Sequence, residues 1–241
     1  MIKKSKNKPN LQIIIPVYNE PKEILSLIDN LVNKLEINFN ILIAYDFDND
    51  RTLEFLNKSP HLNKINFVKN KSYGPNGAIL TAIEEVEAEF FVVYMADDFH
   101  NIDLIEKMYN FNQSKNLIYD VIIPSRFIKG GRMENCPFPK NILVRLGNKF
   151  LSFILNDVTD STNAFKFFNT ISFRSIDIVS KKGFIFALEA IIKLKIKGSK
   201  FYEFPSYWIE RKNGKSNFKI IKWLPYYFYW LIYVFFKIRN K

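Results

Sequence analysis

The chain of 241 residues contains very little cysteine and histidine, with one Cys and two His. The single Cys136 excludes an internal disulfide and any metal site built from several cysteines. His61 and His100 are too few for a histidine-rich zinc site. A metal ion bound by this chain should therefore be a hard cation such as Mg²⁺ or Mn²⁺, held by oxygen ligands.

Glycine is scarce, and two glycine-rich phosphate-binding motifs are missing among the eight glycines. No G-x-G-x-x-G follows the first apolar run, which argues against a dinucleotide-binding fold, and the absence of G-x-x-x-x-G-K-[ST] excludes a P-loop. A site that binds a pyrophosphate without such glycines needs a cation to neutralise its charge.

Acidic residues are absent from both ends of the chain. Residues 1–10 carry four Lys, and residues 211–241 carry eight Lys or Arg. These twelve cations exceed the net charge of +11 by one, so residues 11–210 are nearly neutral. A nucleic-acid-binding protein usually spreads basic residues along its binding face, so we expect no nucleic acid partner. Basic ends suit an anionic membrane surface, although they could also serve solubility alone.

Charge is also absent from residues 223–236, a run of fourteen residues rich in Trp and Tyr. As a helix this run would span roughly 21 Å at about 1.5 Å per residue, less than the roughly 30 Å of a bilayer core. Because Trp and Tyr favour the membrane interface, we expect residues 219–241 to lie on an anionic membrane rather than span it. A core helix and a subunit interface are the alternatives. No signal peptide is evident, so we expect a peripheral protein on the cytoplasmic face.

Apolar runs alternate with helical patterns along the first half of the chain. Strands are predicted at residues 11–18, 39–45, 65–68, 90–95 and 120–124. Helices are predicted after residue 21 and at 52–57, 77–86 and 104–111. This alternation predicts an α/β fold with a mostly parallel, doubly wound sheet.

The second half is less regular. We predict a helix at 141–155, a turn and an edge strand within 157–168, a helix at 184–197 closed by Gly198, and a strand at 200–209. No repeat or flexible linker divides the chain. The predicted organisation is a basic tail at 1–10, one domain at 11–218 and the aromatic segment at 219–241.

Acidic residues follow several predicted strands. Asp46 and Asp50 come after the second strand, and Asp97 and Asp98 follow the run at 90–95. The turn PVYNE follows the first strand and adds Glu20. Ligands bind at the carboxyl ends of strands in open α/β sheets, so these three loops predict a nucleotide and cation site. A single acid in such a place is usually a helix cap or a turn residue.

Seven motifs, in order, resemble those of glycosyltransferase family 2, in particular dolichol-phosphate mannose synthases and bacterial polyprenyl-phosphate sugar synthases. IIIPVYNE resembles the opening strand and donor turn, and YDFDNDRT stands in place of the D-D-G-S-x-D-x-T nucleotide loop. SYGPNGAILTAIEEVEAEFFVVYMADD resembles the glycine-bearing helix and acidic motif. SRFIKGG, TDSTNAFKFF and GFIFALEAIIKLKIKG resemble the acceptor half, and ERKNGKSNFKI resembles the basic lid. The resemblance covers roughly residues 11–220 and implies a nucleotide-sugar-binding fold of GT-A type, followed by a C-terminal aromatic helix.

The chain departs from the family pattern at its acidic positions. Tyr45 replaces the first Asp of the nucleotide loop. The D-A-D-x-Q motif aligns Ala96 with the first acid, Asp98 with the metal-binding acid and His100 with the Gln, while Asp97 could supply the missing carboxylate. The Q-x-x-R-W signature of processive synthases is absent, which implies single sugar addition.

The resemblance implies inverting transfer from a nucleoside-diphosphate sugar to a polyprenyl phosphate such as dolichyl or undecaprenyl phosphate, with Mg²⁺ or Mn²⁺ as cofactor. The implied donor-binding residues are Pro16, Tyr18, Glu20, Asp46, Asp50, Gly77 and Asp97. The implied metal ligands are Asp97, Asp98 and His100. The implied acceptor-binding residues are Ser125, Lys140, Asp160, Glu189 and Arg211, and the implied catalytic residues are Asp98, Arg126 and Lys215.

Two other functions stay open. The acceptor could be a saccharide hydroxyl in surface-glycan assembly, which would need a carboxylate base such as Asp160 or Glu189. Ala96 and Tyr45 at acid positions would also fit a non-catalytic nucleotide-sugar-binding protein. Glu189 has a second interpretation as a paired buried acid, because it lies at helical spacing among apolar residues. His100 could equally be a surface or capping residue.

Overall fold

The computed structural model of the chain describes residues 8–20, 23–114, 118–209 and 220–239. Nine strands lie within these ranges: β1 (Leu11–Pro16), β2 (Phe39–Tyr45), β3 (Ile65–Lys69), β4 (Phe90–Val93), β5 (Val121–Ser125), β6 (Arg132–Glu134), β7 (Lys166–Asn169), β8 (Phe201–Pro205) and β9 (Tyr207–Ile209). Seven of them form one sheet in the order β3-β2-β1-β4-β7-β5-β8, and β6 pairs with β9 in a small second sheet.

Eight α-helices connect or follow these strands in the described ranges. They are α1 (Ile24–Lys34), α2 (Arg51–Leu56), α3 (Gly74–Glu84), α4 (Ile102–Ser114), α5 (Phe138–Leu155), α6 (Thr170–Arg174), α7 (Ile185–Ile196) and α8 (Ile220–Arg239). A single 3₁₀ turn at Leu62–Lys64 precedes β3.

The central strands are buried on both faces because helices cover both sides of the sheet. Alternate residues of β1 belong to different apolar clusters, with Ile14 in one and Ile13 in the other. Helices α3, α7 and α8 pack on the first side, and α1 and α4 pack on the second. This arrangement explains why the strands are continuous apolar runs rather than alternating ones. The predicted doubly wound, mostly parallel sheet is confirmed.

The prediction of an edge strand within 157–168 was wrong. The strand β7 lies inside the sheet, antiparallel to both β4 and β5. Phe167 stacks on Phe90 with ring centroids 5.1 Å apart, and Phe168 stacks on Phe91 at 5.2 Å. The aromatic residues that we predicted to lie in an edge strand are therefore part of the central core.

The predicted strand at 200–209 divides into two strands that belong to different sheets. Ser206 separates them, and its N–H donates to Ser125 O while its carbonyl accepts from Arg132 N. The strand β8 continues the main sheet beside β5, and β9 joins β6. The backbone after β8 is thereby directed over the carboxyl end of β5.

The aromatic tail forms the long helix α8, as expected. Trp230 and Val234 are buried in the core on the α7 side of the sheet. The Trp230 Nε1–H donates to Ser180 Oγ at 3.0 Å, and a Cβ on Gly183 would come within 2.7 Å of the Trp223 ring. Within the described ranges, no helix combines the length and the apolarity needed to cross a bilayer. One face of α8 is therefore a core face, while several aromatic residues on the rest are exposed.

Candidate functional site

One large cavity, of roughly 1400 Å³, opens at the carboxyl ends of β1, β2 and β4. Seven residues predicted for the site lie in its wall: Pro16, Tyr18, Glu20, Asp46, Asp97, Arg126 and Lys140. The remainder of the wall is largely apolar and comes mostly from α5 and α8. The cavity thus brings residues of the predicted donor loops together with Arg126 and Lys140 in one continuous space.

Two hydrogen bonds hold the Asp46 carboxylate in the cavity wall, after the end of β2. Its Oδ1 accepts from Asn70 Nδ2 at 2.6 Å, and its Oδ2 accepts from the N–H of Gly74 at 3.0 Å. Gly74, with φ of 81°, begins α3 in the left-handed region that favours glycine. The start of α3 is therefore tied to the nucleotide loop through one carboxylate.

Tyr18 presents an aromatic surface to the same cavity. Its side chain is 58% exposed, and its ring meets that of Phe47 edge-to-face with centroids 5.4 Å apart. The ring lies in the cavity wall. An aromatic ring in this place can stack with a flat base or sugar face.

Asp50 and Gly77 are placed outside the cavity wall. Asp50 is buried and caps α2, since its carboxylate accepts from Thr52 N at 2.8 Å and from Asn19 N at 3.0 Å. A Cβ on Gly77 would lie 1.9 Å from Ser72 Oγ. Asp50 therefore joins the loop after β2 to the loop after β1, Gly77 leaves room for Ser72, and neither residue lines the cavity.

The acidic motif places Asp97 in the cavity wall and Asp98 in a half-buried turn beside it. Asp97 is exposed and lines the cavity. Asp98 is absent from that wall, but with Asp97 and His100 it lines a small adjoining pocket of about 60 Å³. Its carboxylate accepts from His100 N at 3.0 Å, from Asn101 N at 3.1 Å and from Asn101 Nδ2 at 2.8 Å. Burial raises the pKa of Asp98, while the hydrogen bonds from Asn101 and His100 act in the opposite direction.

The predicted metal ligands Asp97, Asp98 and His100 do not form a preassembled cluster. In the part of the chain that the structure describes, no group of three or more His, Cys, Asp or Glu side chains could hold a metal ion. The reason is that Asp98 is used in its own turn, and His100 packs edge-to-face on Tyr207 at 5.5 Å. Asp97 still fits Mg²⁺ or Mn²⁺, because such ions commonly use one or two carboxylates and complete their shell with substrate phosphates and water.

Asn101 is a structural residue that the sequence analysis missed. Its Nδ2 donates to the Tyr207 carbonyl at 2.7 Å, and its Oδ1 accepts from Tyr207 N at 3.0 Å. The same side chain bonds Asp98, so it joins the acidic loop to β9. These two segments are far apart in sequence, and no local pattern indicates their contact.

Arg126 and Asp160 form a buried bidentate pair beside the cavity. Arg126 donates from Nε to Asp160 Oδ2 and from Nη2 to Oδ1, both at 2.7 Å. Burial alone would lower the pKa of Arg126, but the Asp160 carboxylate raises it overall. Burial would raise the pKa of Asp160, but Arg126 lowers it overall. The neighbouring Ser125 is buried, with its Oγ 2.7 Å from Thr159 Oγ1.

Lys166 and Glu203 complete this buried cluster and were not predicted as site residues. The fully buried Lys166 Nζ donates to the carbonyl of Asp160 at 3.2 Å and to that of Asn163. Burial lowers the pKa of Lys166 to about 7. Glu203 accepts from Thr159 N at 2.9 Å, and burial raises its pKa. The sequence signal that could have indicated this cluster is a lysine among the apolar residues of a strand, in FKFF.

The buried Lys166 predicts a pH-dependent stability. Between about pH 7 and pH 10.5 the unfolded state binds more protons at this site than the folded state, so the free energy of unfolding rises with pH. We expect a contribution of about 2 kcal/mol between pH 6.5 and 8.5 that the variant Lys166→Met lacks. Urea unfolding of both proteins at the two pH values measures it, and an equal pH dependence would contradict the assignment.

Glu189 is not an acceptor-side residue in this structure. It is fully buried, its Oε1 and Oε2 accept from the N–H groups of Val179 and Ser180 at 2.8 Å, and Lys193 lies 2.6 Å away. The interpretation as a paired buried acid therefore describes it. Its carboxylate holds the loop against which Trp230 of α8 packs.

Lys140 is the second cation in the cavity wall, and its Nζ lies 4.7 Å from the centroid of the Trp208 ring. The predicted acceptor residue Arg211 and catalytic residue Lys215 lie outside the described residues.

Comparison with known proteins agrees with this architecture. A family model described as glycosyl transferase family 2 matches residues 12–177. The chain is 27% identical over 215 residues to a dolichol-phosphate mannosyltransferase of Pyrococcus furiosus, covering 87% of this chain and 59% of that relative's length. It is 28% identical over 181 residues to a UDP-N-acetylglucosamine–dolichyl-phosphate N-acetylglucosaminyltransferase of Methanococcus voltae, covering 66% of this chain and 69% of the relative.

Two solved structures share the fold at low sequence identity. Glucosyl-3-phosphoglycerate synthase of Mycobacterium tuberculosis, in complex with Mn²⁺ and UDP, superposes with a TM-score of 0.66 at 10% identity over 95% of this chain and 80% of that one. A mannosyltransferase of Pyrobaculum calidifontis, in complex with GDP-Man and Mn²⁺, gives 0.59 at 15% identity over 87% and 59%. The family match spans more than half of the chain and the sheet has the GT-A arrangement of these enzymes, so the chain belongs to glycosyltransferase family 2.

Proposed function

We propose that this chain transfers a sugar, with inversion, from a nucleoside-diphosphate sugar to a polyprenyl phosphate at a membrane surface. One observation carries the proposal: a single cavity is lined by Asp46 and Tyr18 of the predicted donor loops, by the cations Arg126 and Lys140, and by a long apolar wall from α5 and α8. A phosphate on an isoprenoid chain needs cations for the phosphate and an apolar surface for the chain.

The apolar wall supports a lipid acceptor over a sugar acceptor. The wall includes Leu143, Leu146, Phe150, Leu224, Phe228 and Leu231, from both helices. A saccharide site presents polar groups that bind hydroxyls, whereas an apolar wall suits an isoprenoid chain. Burial of such a chain is favourable by about 25 cal/mol per Å² of apolar surface. The relatives named for dolichyl-phosphate transfer support the same acceptor class.

The chemistry of the carboxylates supports a phosphate acceptor as well. The sequence offered Asp160 and Glu189 as bases for a hydroxyl acceptor, but Asp160 pairs with Arg126 and Glu189 bonds two backbone N–H groups. A phosphate oxygen is already anionic near neutral pH and needs no strong base. Its attack forms the new bond to the anomeric carbon while the bond to the nucleoside diphosphate breaks, and the diphosphate leaves with the electron pair.

Asp97 is the residue that would hold a divalent cation on the donor pyrophosphate. Mg²⁺ or Mn²⁺ would neutralise the charge that develops on the leaving diphosphate. The solved structures with Mn²⁺ support such an ion. Arg126 and Lys140 would orient the acceptor phosphate, and Asp46 with Tyr18 would hold the nucleoside.

The direct test offers purified protein several nucleotide sugars with a short polyprenyl phosphate, with and without Mn²⁺. We expect a metal-dependent glycosyl-phospholipid product. A product only with free saccharide would favour the hydroxyl-acceptor alternative. Donor binding without any transfer or donor hydrolysis would instead favour the non-catalytic nucleotide-sugar-binding protein.

The membrane surface would meet the outer faces of α5 and α8. Phe138 and Phe153 at the two ends of α5 are 77% and 88% exposed, and Tyr226 and Tyr229 of α8 are also exposed. These two helices contain Lys and Arg but no acidic residue. Exposed aromatics flanked only by cations are typical of surfaces that bind anionic bilayers.

The double variant Phe138→Ser/Phe153→Ser should bind anionic vesicles about tenfold more weakly, because two partly inserted rings are lost. Vesicle sedimentation with phosphatidylserine-containing and neutral vesicles measures the effect. The matched control is Ile171→Ser, which is 78% exposed on α6, where β7 ends beside the start of β4, at the opposite end of the strands from the cavity. Equal loss in the control, or no loss in the double variant, would contradict this membrane face. Substitution is preferable to deletion of α8, since Trp230 and Val234 belong to the core.

A further inference from the structure

Thr162 lies in the cavity wall directly beside Arg126. It belongs to the TDSTNAFKFF segment that resembles the acceptor half, but the sequence analysis assigned it no role. Its Oγ1 is the meeting point of two side chains. Arg126 Nη2 lies 3.3 Å from it and Asn148 Nδ2 lies 2.9 Å from it. Which atom donates in each of these two hydrogen bonds determines whether the Thr162 hydroxyl can donate a further hydrogen bond.

The amide of Asn148 can be oriented in only one way. Its Oδ1 faces the backbone N–H of Ser161 at 3.0 Å, which can only donate. Its Nδ2 faces the carbonyl of Val144 at 3.0 Å, which can only accept. The amide nitrogen is therefore the atom next to Thr162, so it must donate to the Thr162 oxygen.

Arg126 also has only donors, so the Thr162 oxygen accepts twice. A hydroxyl has two lone pairs and one hydrogen, and both lone pairs are thus engaged. The hydrogen must point in the remaining direction, and within the described ranges Thr162 Oγ1 donates to no protein acceptor. Thr162 is a residue of the cavity wall, so this hydrogen is available to a ligand that binds in the cavity beside Arg126.

We infer that the Thr162 hydroxyl donates a hydrogen bond to an anionic phosphate oxygen of the acceptor, next to the Arg126 guanidinium. This inference rests on the proposed function, and it names an acceptor-binding residue that the sequence analysis did not assign. Asn148, on α5, is the positioning residue that keeps the hydroxyl a donor. Arg126 does not depend on Thr162 for its own orientation, since Asp160 already binds both its Nε and its Nη2.

The test compares Thr162→Val, which keeps the branched shape and removes the hydroxyl, with Thr162→Ser, which keeps the hydroxyl. A hydrogen bond to a charged group predicts about a tenfold or greater rise in the KM for a short polyprenyl phosphate in Thr162→Val. Thr162→Ser should stay within about threefold of the parent protein. The KM for the nucleotide sugar should be unchanged in both, because Thr162 is not on the donor side.

Calorimetric binding of the same polyprenyl phosphate, without donor, gives a second measurement. We expect the Kd of Thr162→Val to be higher than the Kd of Thr162→Ser and of the parent protein. Equal acceptor KM and Kd in the valine and serine variants would overturn the inference, as would an equal rise in donor KM. If valine lowers the thermal midpoint, Thr162→Ala is compared with serine instead. If the parent protein neither binds nor uses the polyprenyl phosphate, the proposed function itself fails.

Discussion

Replacing Asp97 with alanine is expected to reduce sugar transfer by about a hundredfold or more, with little change in stability. A cation on the donor pyrophosphate contributes several kcal/mol to stabilising the leaving group, and Asp97 is the residue of the acidic motif that lines the cavity. Asp97 is exposed, so the substitution removes little buried surface. Transfer rates at saturating Mn²⁺, together with thermal unfolding, measure both effects.

The matched variant is Asp98→Ala, because family alignment and structure disagree about these two neighbours. Alignment makes Asp98 the metal-binding acid, whereas the structure uses its carboxylate to bond Asn101 and His100. We expect Asp98→Ala to lower the thermal midpoint, since it removes several hydrogen bonds from a half-buried turn. Normal stability and no activity in Asp98→Ala, together with an active Asp97→Ala, would restore the alignment-based assignment.

The variant Arg126→Met should lower the free energy of unfolding by about 3–5 kcal/mol and abolish acceptor binding. Asp160 is fully buried and takes three hydrogen bonds from Arg126, two from the guanidinium and one from the backbone. Removing the guanidinium leaves a buried carboxylate without its counter-ion, which is the costly way to break a buried pair. Urea unfolding at neutral pH measures the change.

The double variant Arg126→Met/Asp160→Leu separates stability from function. Replacing both members of a buried pair by apolar residues is often neutral or stabilising, so this protein should regain most of the lost stability. It should still bind no acceptor, because the cation beside the cavity is gone. A double variant that is as unstable as Arg126→Met would show that the loss came from packing rather than from the unpaired charge.

Most strands and helices could be predicted because each is specified by local pattern. The strand β2 was predicted at 39–45 and is observed at Phe39–Tyr45, since its apolar run is bounded by polar residues. Helix α7 was predicted at 184–197 and lies at Ile185–Ile196, ended by Gly198 with a φ of 83°. The strand β7 was misplaced because its position depends on antiparallel pairing with β4 and β5, which are distant in sequence.

The candidate site was predictable at the level of loops but not at the level of side-chain direction. The loops after β1, β2 and β4 had to meet because their strands are parallel neighbours. The placement of the Asp98 carboxylate depends on Asn101, whose partner Tyr207 follows more than a hundred residues later. The burial of Lys166 likewise depends on carbonyl groups of a loop that the sequence pattern did not resolve.

The sequence by itself determined the family, the parallel sheet, the acid-bearing loops and the basic, aromatic tail, because each follows from residue type and short spacing. Only the tertiary structure decided that α8 has a core face and also forms part of the cavity wall. It also decided that the Asp160 and Glu189 carboxylates accept hydrogen bonds from within the protein. The contact of the Thr162 hydroxyl with Arg126 and Asn148 was likewise decided only there. Hydrogen-bond direction and burial depend on which groups converge in space, and residues that converge from different strands and helices leave no periodic signal in the chain.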